Sequence, residues 1–304
     1  KMVEQGYPKS FSTGLITSSG SVALLIPPSI SAIVYCSVTG ASVGALFMAG
    51  LGAGLLYGIC FLLYCIWYAK KHNISKAPKT SGRERWKITK DAAWALGVPV
   101  IIIGGIYAGI FTPTESAAVG IVYALILGFA LKELKVKDLP KILINSLKTS
   151  TMVNFIIAAA SLFSWVVSKS QIGIVISNAF ISFVGGSQAL YLFVLVVVLL
   201  IVGCLMDNVA ATLILAPILI PVGIALGCNE LHIGMLFCIC LVVGFVTPPF
   251  GYNLFTAVSI SGLNFKQIVK GALPFLLTEI LLLFVFAYVP GIITWLPRLM
   301  GYGY

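Results

Sequence analysis

Long apolar runs separated by short polar stretches dominate the chain, most clearly between about Leu190 and Ile260. The run LYLFVLVVVLLIVGCLM ends at Asp207 and Asn208, and a second run, AATLILAPILIPVGIALG, follows almost at once. Each run has about the length of one membrane crossing at a helical rise of about 1.5 Å per residue. The pattern therefore predicts a helical hairpin with a polar tip.

A third apolar run, LHIGMLFCICLVVGFV, is interrupted by TPPFG at residues 247–251 and resumes as YNLFTAVSI. Proline lacks an amide donor and glycine permits unusual backbone angles, so the interruption frees backbone polar groups inside a hydrophobic segment. In lipid, such groups are tolerated only where protein or a water-filled cavity surrounds them. Secondary transporters bind ions and substrates where a polar tip of this kind faces a broken helix.

The same interruption occurs near the start of the chain. LLIPPSISAIVY at residues 24–35 resembles GFVTPPFGYNLF at residues 244–255, with a proline pair in the middle of each apolar helix. The distribution of Lys and Arg residues among the loops, given below, indicates that the two helices cross the membrane in opposite directions. Opposite directions are typical of an inverted-topology repeat. Because a hairpin precedes the second broken helix, we expect a matching hairpin upstream of Lys1.

Composition sets the class of protein. Of the 304 residues, 60% are hydrophobic and 9% are charged, which predicts an all-α polytopic membrane protein. The sequence contains no phosphate loop and no hydrolase or metalloprotease motif, so energy must come from an ion gradient or from another subunit, and we expect a secondary active transporter and not an enzyme. The seven cysteines show no metal-ligand spacing and are interpreted as packing residues, so no transition-metal site is expected.

The basic residues predict the orientation. Residues 1–10, 70–91, 132–148 and 262–270 hold 17 of the 19 Lys and Arg residues, which places them on the cytoplasmic side. All four basic segments lie on the same side of the membrane if residues 190–227 form a re-entrant hairpin that enters and leaves from one side. Two full crossings would also place them on one side, but they would put the polar tip in a loop without Lys or Arg. We prefer the re-entrant interpretation.

The hairpin tip and the second break supply candidate sodium ligands. Sodium is a hard cation that favours carbonyl, hydroxyl and carboxylate oxygens. The candidates are Asp207, Asn208 and Thr212 at the tip, and Thr247, Pro248 and Gly251 at the break. A competing role for Asp207 is to cap the second hairpin helix.

The first break supplies half of a second ion site, at Pro27, Pro28 and Ser29. Candidate substrate contacts are the small polar residues before it, together with an amide one turn past the second break: Ser18, Ser19, Gly20 and Asn253. Glu279 lies at membrane depth, where a carboxylate is expensive. It either contacts a distant polar partner or is partly satisfied by Thr278, and the sequence does not distinguish the two. Thr112-Pro113-Thr114-Glu115 has the pattern of a helix start.

These elements divide the chain into five predicted segments. Residues 1–36 end a first transport repeat, and residues 37–141 form scaffold helices and cytoplasmic loops. Residues 142–188 form a span followed by an interfacial arm helix, Gln171–Phe183. Residues 189–260 form the transport core, and residues 261–304 form a final scaffold helix and tail.

Five ordered strings resemble the large membrane (M) subunit of the TRAP (tripartite ATP-independent periplasmic) transporters, over almost the whole chain. They are GYPKSF, SSGSVALLIPPS, GIFTPTESAAVGIVYAL, MDNVAATLILAPILIPV and GFVTPPFGYNLF. Members of that family are longer at the N-terminus, where they carry the first hairpin.

The resemblance implies sodium-driven, elevator-type uptake of an organic acid such as sialic acid or a C4-dicarboxylate across the bacterial inner membrane. It implies a small membrane (Q) subunit, separate or fused, and a periplasmic substrate-binding (P) protein. It places sodium between each hairpin tip and the facing helix break, at the candidate residues named above. The alternative is a single-component sodium/dicarboxylate carrier of the same ion-transporter superfamily.

Overall fold

A computed structural model describes residues 2–74, 81–170 and 172–302, and every regular element among them is helical. The elements are α1 (Lys9–Ala23), α2 (Ile30–Thr39), α3 (Val43–Lys71), α4 (Gly82–Tyr107), α5 (Pro113–Ala130), a 3₁₀ turn (Val136–Asp138), α6 (Leu139–Lys169), α7 (Ile172–Phe183), α8 (Gln188–Leu205), α9 (Asn208–Ala225), α10 (Glu230–Gly244), α11 (Tyr252–Ser261), α12 (Phe265–Tyr288) and α13 (Pro290–Leu299). The predicted arm helix begins at Ile172, and Gln171 lies outside the described residues.

Six stretches of helix within the described ranges are long and apolar enough to cross a membrane: Val43–Lys71, Pro113–Ala130, Val136–Ala159, Gln188–Leu205, Asn208–Ala225 and Phe265–Tyr288. Helix α4 adds a seventh if its two parts, Gly82–Lys90 and Ala92–Tyr107, are one span bent by 49°. The chain is therefore an all-α, multi-pass membrane protein, as predicted.

Contacts group the chain into two compact units, Lys1–Ser75 with Ile156–Tyr304, and Lys76–Phe155. In the smaller unit, the Tyr123 hydroxyl donates to the carbonyl oxygen of Trp94 at 2.8 Å and so joins α5 to α4. Thr112 and Glu115 form a reciprocal capping box at the start of α5, which confirms the predicted helix start. The five-segment division of the sequence stays a prediction.

The larger unit is built around α10, whose residues from Leu231 to Gly244 are all buried. A helix that is apolar on every side must be surrounded by protein, and α10 packs against α2, α8, α9 and α12. Helices α8 and α9 form an antiparallel hairpin, because the hydroxyl of Tyr191 at the start of α8 donates to Leu219 O near the end of α9, at 2.9 Å. The predicted hairpin is confirmed.

The two proline pairs interrupt two helices, as predicted: α1 and α2 flank the first, and α10 and α11 flank the second. Both prolyl-prolyl bonds are cis. The broken helices run in opposite directions. Along α2, Ser31 lies beside Cys238 of α10, whereas Tyr35, one turn later, lies over Gly234, one turn earlier in α10.

Helices α1 and α12 approach each other through glycine. A Cβ atom added to Gly14 of α1 would lie 2.1 Å from the carbonyl carbon of Gly271 in α12, and one added to Gly271 would lie 2.0 Å from the carbonyl oxygen of Ser10. Neither position has room for a side chain. Small residues at a helix crossing let the backbones pack directly, as is common between membrane helices.

Candidate functional site

The hairpin tip directly contacts the second helix break. The amide of Gly251 donates to the carbonyl oxygen of Cys204 at 3.2 Å. Beside this bond, α8 and α10 pack without intervening side chains, because a Cβ on Gly244 would lie 2.5 Å from the carbonyl carbon of Gly203. The end of α8 and the start of α11 therefore share backbone groups at one point.

This contact fixes how far the hairpin reaches. Helix α8 runs parallel to α10, because Gln188 at its start contacts Cys228 just before α10 and Gly203 near its end contacts Gly244. The hairpin turns back at the break, whereas α11 continues for 10 residues, about 15 Å, beyond it. A hairpin that ends where the neighbouring helix is interrupted has the re-entrant geometry that the charge count favours.

The first broken helix meets the same tip through Asn208. The Asn208 side-chain amide donates to the hydroxyl oxygen of Ser31 in the first turn of α2. The hydroxyl of Thr212 donates to the amide oxygen of Asn208 at 3.3 Å. Asn208 is 5% exposed and Thr212 is fully buried, so the amide is held in place by both neighbours. The Ser29 hydroxyl caps α2 beside them by accepting from the amide of Ala32 at 3.3 Å.

Asp207 is placed differently from its neighbour. Its side chain is exposed, and its Oδ1 accepts from the amide of Val209 at 2.8 Å, which makes Asp207 the N-cap of α9. The capping role that the sequence left open is therefore confirmed. A sodium role for its carboxylate stays a prediction.

The remaining predicted sodium residues lie on the two breaks that flank the tip. Pro27 is buried and Pro28 is exposed. The Thr247 hydroxyl donates back to Val243 O, in the last turn of α10, at 2.9 Å. Pro248 precedes Gly251, whose φ of +58° turns the chain into α11.

The starts of α2, α9 and α11 and the ends of α1, α8 and α10 all converge on this region. Helix starts carry partial positive charge and helix ends partial negative charge. The region can therefore attract an anion and a cation close together.

A cavity of about 300 Å³ opens beside this point, between α1 and α11. None of its nine lining residues is charged, and five carry a hydroxyl or an amide. They are Thr13, Ile16, Thr17, Gly20, Asn253, Thr256, Ala257, Ile260 and Ser261.

The structure brings two of the predicted substrate residues together in this cavity, Gly20 and Asn253. It does not bring the other two there. Ser18 is fully buried, and Ser19 lines a separate, mainly apolar groove of about 470 Å³ between α1 and α3.

Two polar contacts of the larger unit were missed at the level of the sequence. Ser31 partners Asn208, and Ser21 of α1 lies 3.0 Å from the Glu279 carboxyl of α12. Glu279 thus has a distant partner, whereas Thr278 hydrogen-bonds to Pro274 O of its own helix. The string SSGSVA contains Ser21, but nothing in the sequence shows which helix it faces.

Comparison with known proteins identifies the family of this chain. The family model for the DctM component of tripartite ATP-independent periplasmic transporters matches residues 1–292. The chain belongs to this family. It is thus a TRAP-transporter large permease, and the resemblance found in the sequence is confirmed.

Curated DctM relatives match nearly the whole permease chain. It is 38% identical to the C4-dicarboxylate TRAP transporter large permease of Pseudomonas aeruginosa, over 99% of this chain and 70% of that one. It is 34% identical to the sialic acid large permease of Vibrio cholerae, over 99% and 71% of the two chains. It is 37% identical to the isethionate permease DctMQ of Oleidesulfovibrio alaskensis, over 96% of this chain and 46% of that one.

Proposed function

We propose that this permease imports a small organic acid together with sodium, by an elevator movement of the hairpin and the two broken helices. The observation that carries the proposal is the meeting of the hairpin tip with both helix breaks, through Asn208 with Ser31 and Gly251 with Cys204. Secondary transporters use broken helices of this kind to hold ions and substrate together.

Sodium is proposed to bind at the tip. Asn208 and Thr212 offer side-chain oxygens, Ser29 and Ser31 add hydroxyls from the first broken helix, and the breaks add backbone carbonyls. An all-oxygen set is what a hard monovalent cation requires. The exposed carboxylate of Asp207 supplies negative charge one residue away.

The substrate is proposed to bind in the cavity between α1 and α11. A carboxylate there would accept hydrogen bonds from the hydroxyl of Thr13 and from the amide of Asn253, beside the positive end of α11. The cavity lining carries no positive side chain, so bound sodium would balance the charge of the substrate. Coupling between the two follows from that balance.

The names of the relatives support an organic acid as the substrate class. The permeases of Pseudomonas aeruginosa, Vibrio cholerae and Escherichia coli are named for C4-dicarboxylates, sialic acid and 2,3-diketo-L-gulonate. All three are carboxylates, whereas isethionate, for which the DctMQ relative is named, is a sulfonate. We therefore expect an organic acid with a carboxylate or sulfonate group as the substrate of this permease.

Two partner proteins are proposed. The family's name describes a tripartite, periplasmic system, so a periplasmic binding protein would deliver the substrate and a small Q subunit would complete the membrane part. The relative named DctMQ joins M and Q in one chain, so the Q subunit can be separate or fused. The site of action is the bacterial cytoplasmic membrane.

Uptake into proteoliposomes tests the proposal. The full-length permease, its Q subunit and its binding protein are reconstituted, and uptake of labelled sialic acid and of a labelled C4-dicarboxylate is compared under inward sodium and potassium gradients. We expect uptake of one of these acids only with sodium and the binding protein. Equal uptake with potassium would overturn the coupling. Uptake without the binding protein would favour the single-component carrier.

A further inference from the structure

Glu279 is a carboxyl group enclosed by helices. It is fully buried on α12, where it faces Ser21 of α1. The Tyr57 hydroxyl of α3 donates to the backbone carbonyl of Glu279 at 3.1 Å, so α3 also packs against α12 at this residue. Carboxylates at this depth are rare unless they are paired.

The contacts of Ser21 indicate which group carries the proton. Its Oγ lies 2.6 Å from Ser18 O and 3.0 Å from Glu279 Oε1. A hydroxyl has a single proton to donate and two lone pairs that can accept. The shorter contact takes that proton, because two oxygens 2.6 Å apart with no proton between them would repel each other. The contact with Oε1 then requires a proton on Glu279.

The second carboxyl oxygen supports this assignment. Among the described residues, Glu279 Oε2 has no hydrogen-bond partner. An ionised carboxylate would place a negative charge there without compensation, whereas a protonated acid leaves only a neutral carbonyl oxygen.

We propose that Glu279 is a proton-binding site in the core of the permease. The acid form of its side chain donates to Ser21 Oγ, which donates in turn to Ser18 O. This chain of two hydrogen bonds ties α12 to the last turns of α1. Gly20, next to Ser21, lines the substrate cavity, so the bound proton fixes one wall of that cavity. The inference does not rest on sodium coupling.

Six of the described helices pack against α12, and each carries titratable groups. These groups are Lys9 of α1; Tyr57, Cys60, Tyr64, Cys65, Tyr68, Lys70 and Lys71 of α3; Tyr191 and Cys204 of α8; Glu230, His232, Cys238 and Cys240 of α10; Tyr252 of α11; and Arg298 of α13. Tyr57 contacts the Glu279 backbone, and the His232 ring bonds to Phe286 O, about two turns further along α12. Within the described ranges, none of these groups forms an ion pair with the Glu279 carboxyl.

Infrared difference spectroscopy tests the proposal. The spectrum of the purified full-length Glu279→Gln variant is subtracted from that of the wild type at neutral pH. We expect the C=O stretching band of a protonated carboxylic acid. Carboxylate bands in its place would overturn the proposal. Glu115→Gln is the control, because its carboxylate accepts two hydrogen bonds from Thr112 and should give carboxylate bands.

Thermal unfolding against pH provides a second readout. If only the folded state holds this proton, the stability of the wild type falls as pH rises, relative to Glu279→Gln, whose amide donates to Ser21 without titrating. Parallel pH profiles for the two proteins would overturn the proposal. A stabilisation by sodium that disappears in Glu279→Gln would overturn it in favour of a bound cation. Glu279→Ala should lower the melting temperature at every pH, since it removes the donor.

Discussion

The amide nitrogen of Gly251 lies 3.2 Å from the carbonyl oxygen of Cys204, so the second helix break and the hairpin tip share a backbone hydrogen bond. Both groups belong to positions that lack a regular helical partner, and each supplies what the other needs. Any movement of the hairpin away from the broken helix must break this bond. This hydrogen bond therefore holds the hairpin tip and the second helix break together in the proposed transport core.

The first prediction concerns the space around Gly251. Its φ is +58°, and an added Cβ would lie 2.9 Å from Leu254 Cδ1 and 3.0 Å from Phe245 O. Gly251→Ala should lower stability by about 1–2 kcal/mol for the backbone angle, with about 1–3 kcal/mol more for the crowding. Gly262→Ala is the control for a positive φ in open space, since its φ is +68°, its ψ of 10° is that of the ordinary left-handed region and nothing lies within 4 Å, whereas the ψ of Gly251 is 99°. Thermal unfolding that shows equal losses for the two variants would contradict this account.

The second prediction separates the charge of Asp207 from its cap. Asparagine caps helices as well as aspartate does, whereas alanine loses about 1 kcal/mol. Asp207→Asn should therefore keep wild-type stability, and Asp207→Ala should be less stable. If the carboxylate assists sodium binding, Asp207→Asn should still raise the sodium concentration for half-maximal uptake about tenfold, or about 1.4 kcal/mol. Unchanged sodium dependence in Asp207→Asn would leave Asp207 as a helix cap alone.

The third prediction tests the crossing of α1 and α12. A Cβ on Gly14 would collide with the backbone of Gly271, whereas one on Gly58 of α3 would have nothing within 4 Å. Gly14→Ala should therefore destabilise the protein by at least about 1–3 kcal/mol. Gly58→Ala should be neutral or stabilise it by up to about 1 kcal/mol. Thermal melting in detergent checks both, and a stable Gly14→Ala variant would refute the close approach.

The fourth prediction tests the substrate cavity. Asn253→Asp keeps the size of the side chain but adds a negative charge to an uncharged lining. For an anionic substrate, we expect the apparent KM for uptake to rise at least about tenfold, with little change in melting temperature. Asn264→Asp is the control, because it adds the same charge at the N-cap of α12, outside the cavity lining, where aspartate also caps well. An unchanged KM in Asn253→Asp would place the substrate elsewhere.

Much of the fold could be predicted from local chemistry. The proline pairs locate both helix breaks because proline removes a backbone donor. Thr112 and Glu115 predict a helix start through the spacing of a capping box. The polar pair at the hairpin tip marks a turn between two runs that are otherwise uniformly apolar.

The faces of the helices could not be predicted in the same way. A soluble helix shows its buried side through apolar residues that recur about every 3.6 positions, but helices such as α10 are apolar all round and carry no such pattern. The contact of Ser31 with Asn208, the different surroundings of Ser18 and Ser19, and the contact of Ser21 with Glu279 all depend on helix rotation. They became visible only once the helices were packed.

Sodium binding to the purified full-length permease tests the central claim most directly. A ligand that binds only the folded state raises its stability, so the wild type should melt at a higher temperature in sodium than in the same concentration of potassium. Asn208→Ala removes the amide that joins the hairpin tip to Ser31, and the difference between the two salts should disappear in it. Equal melting temperatures of the wild type in the two salts, or a sodium effect that persists in Asn208→Ala, would contradict a sodium site at the hairpin tip.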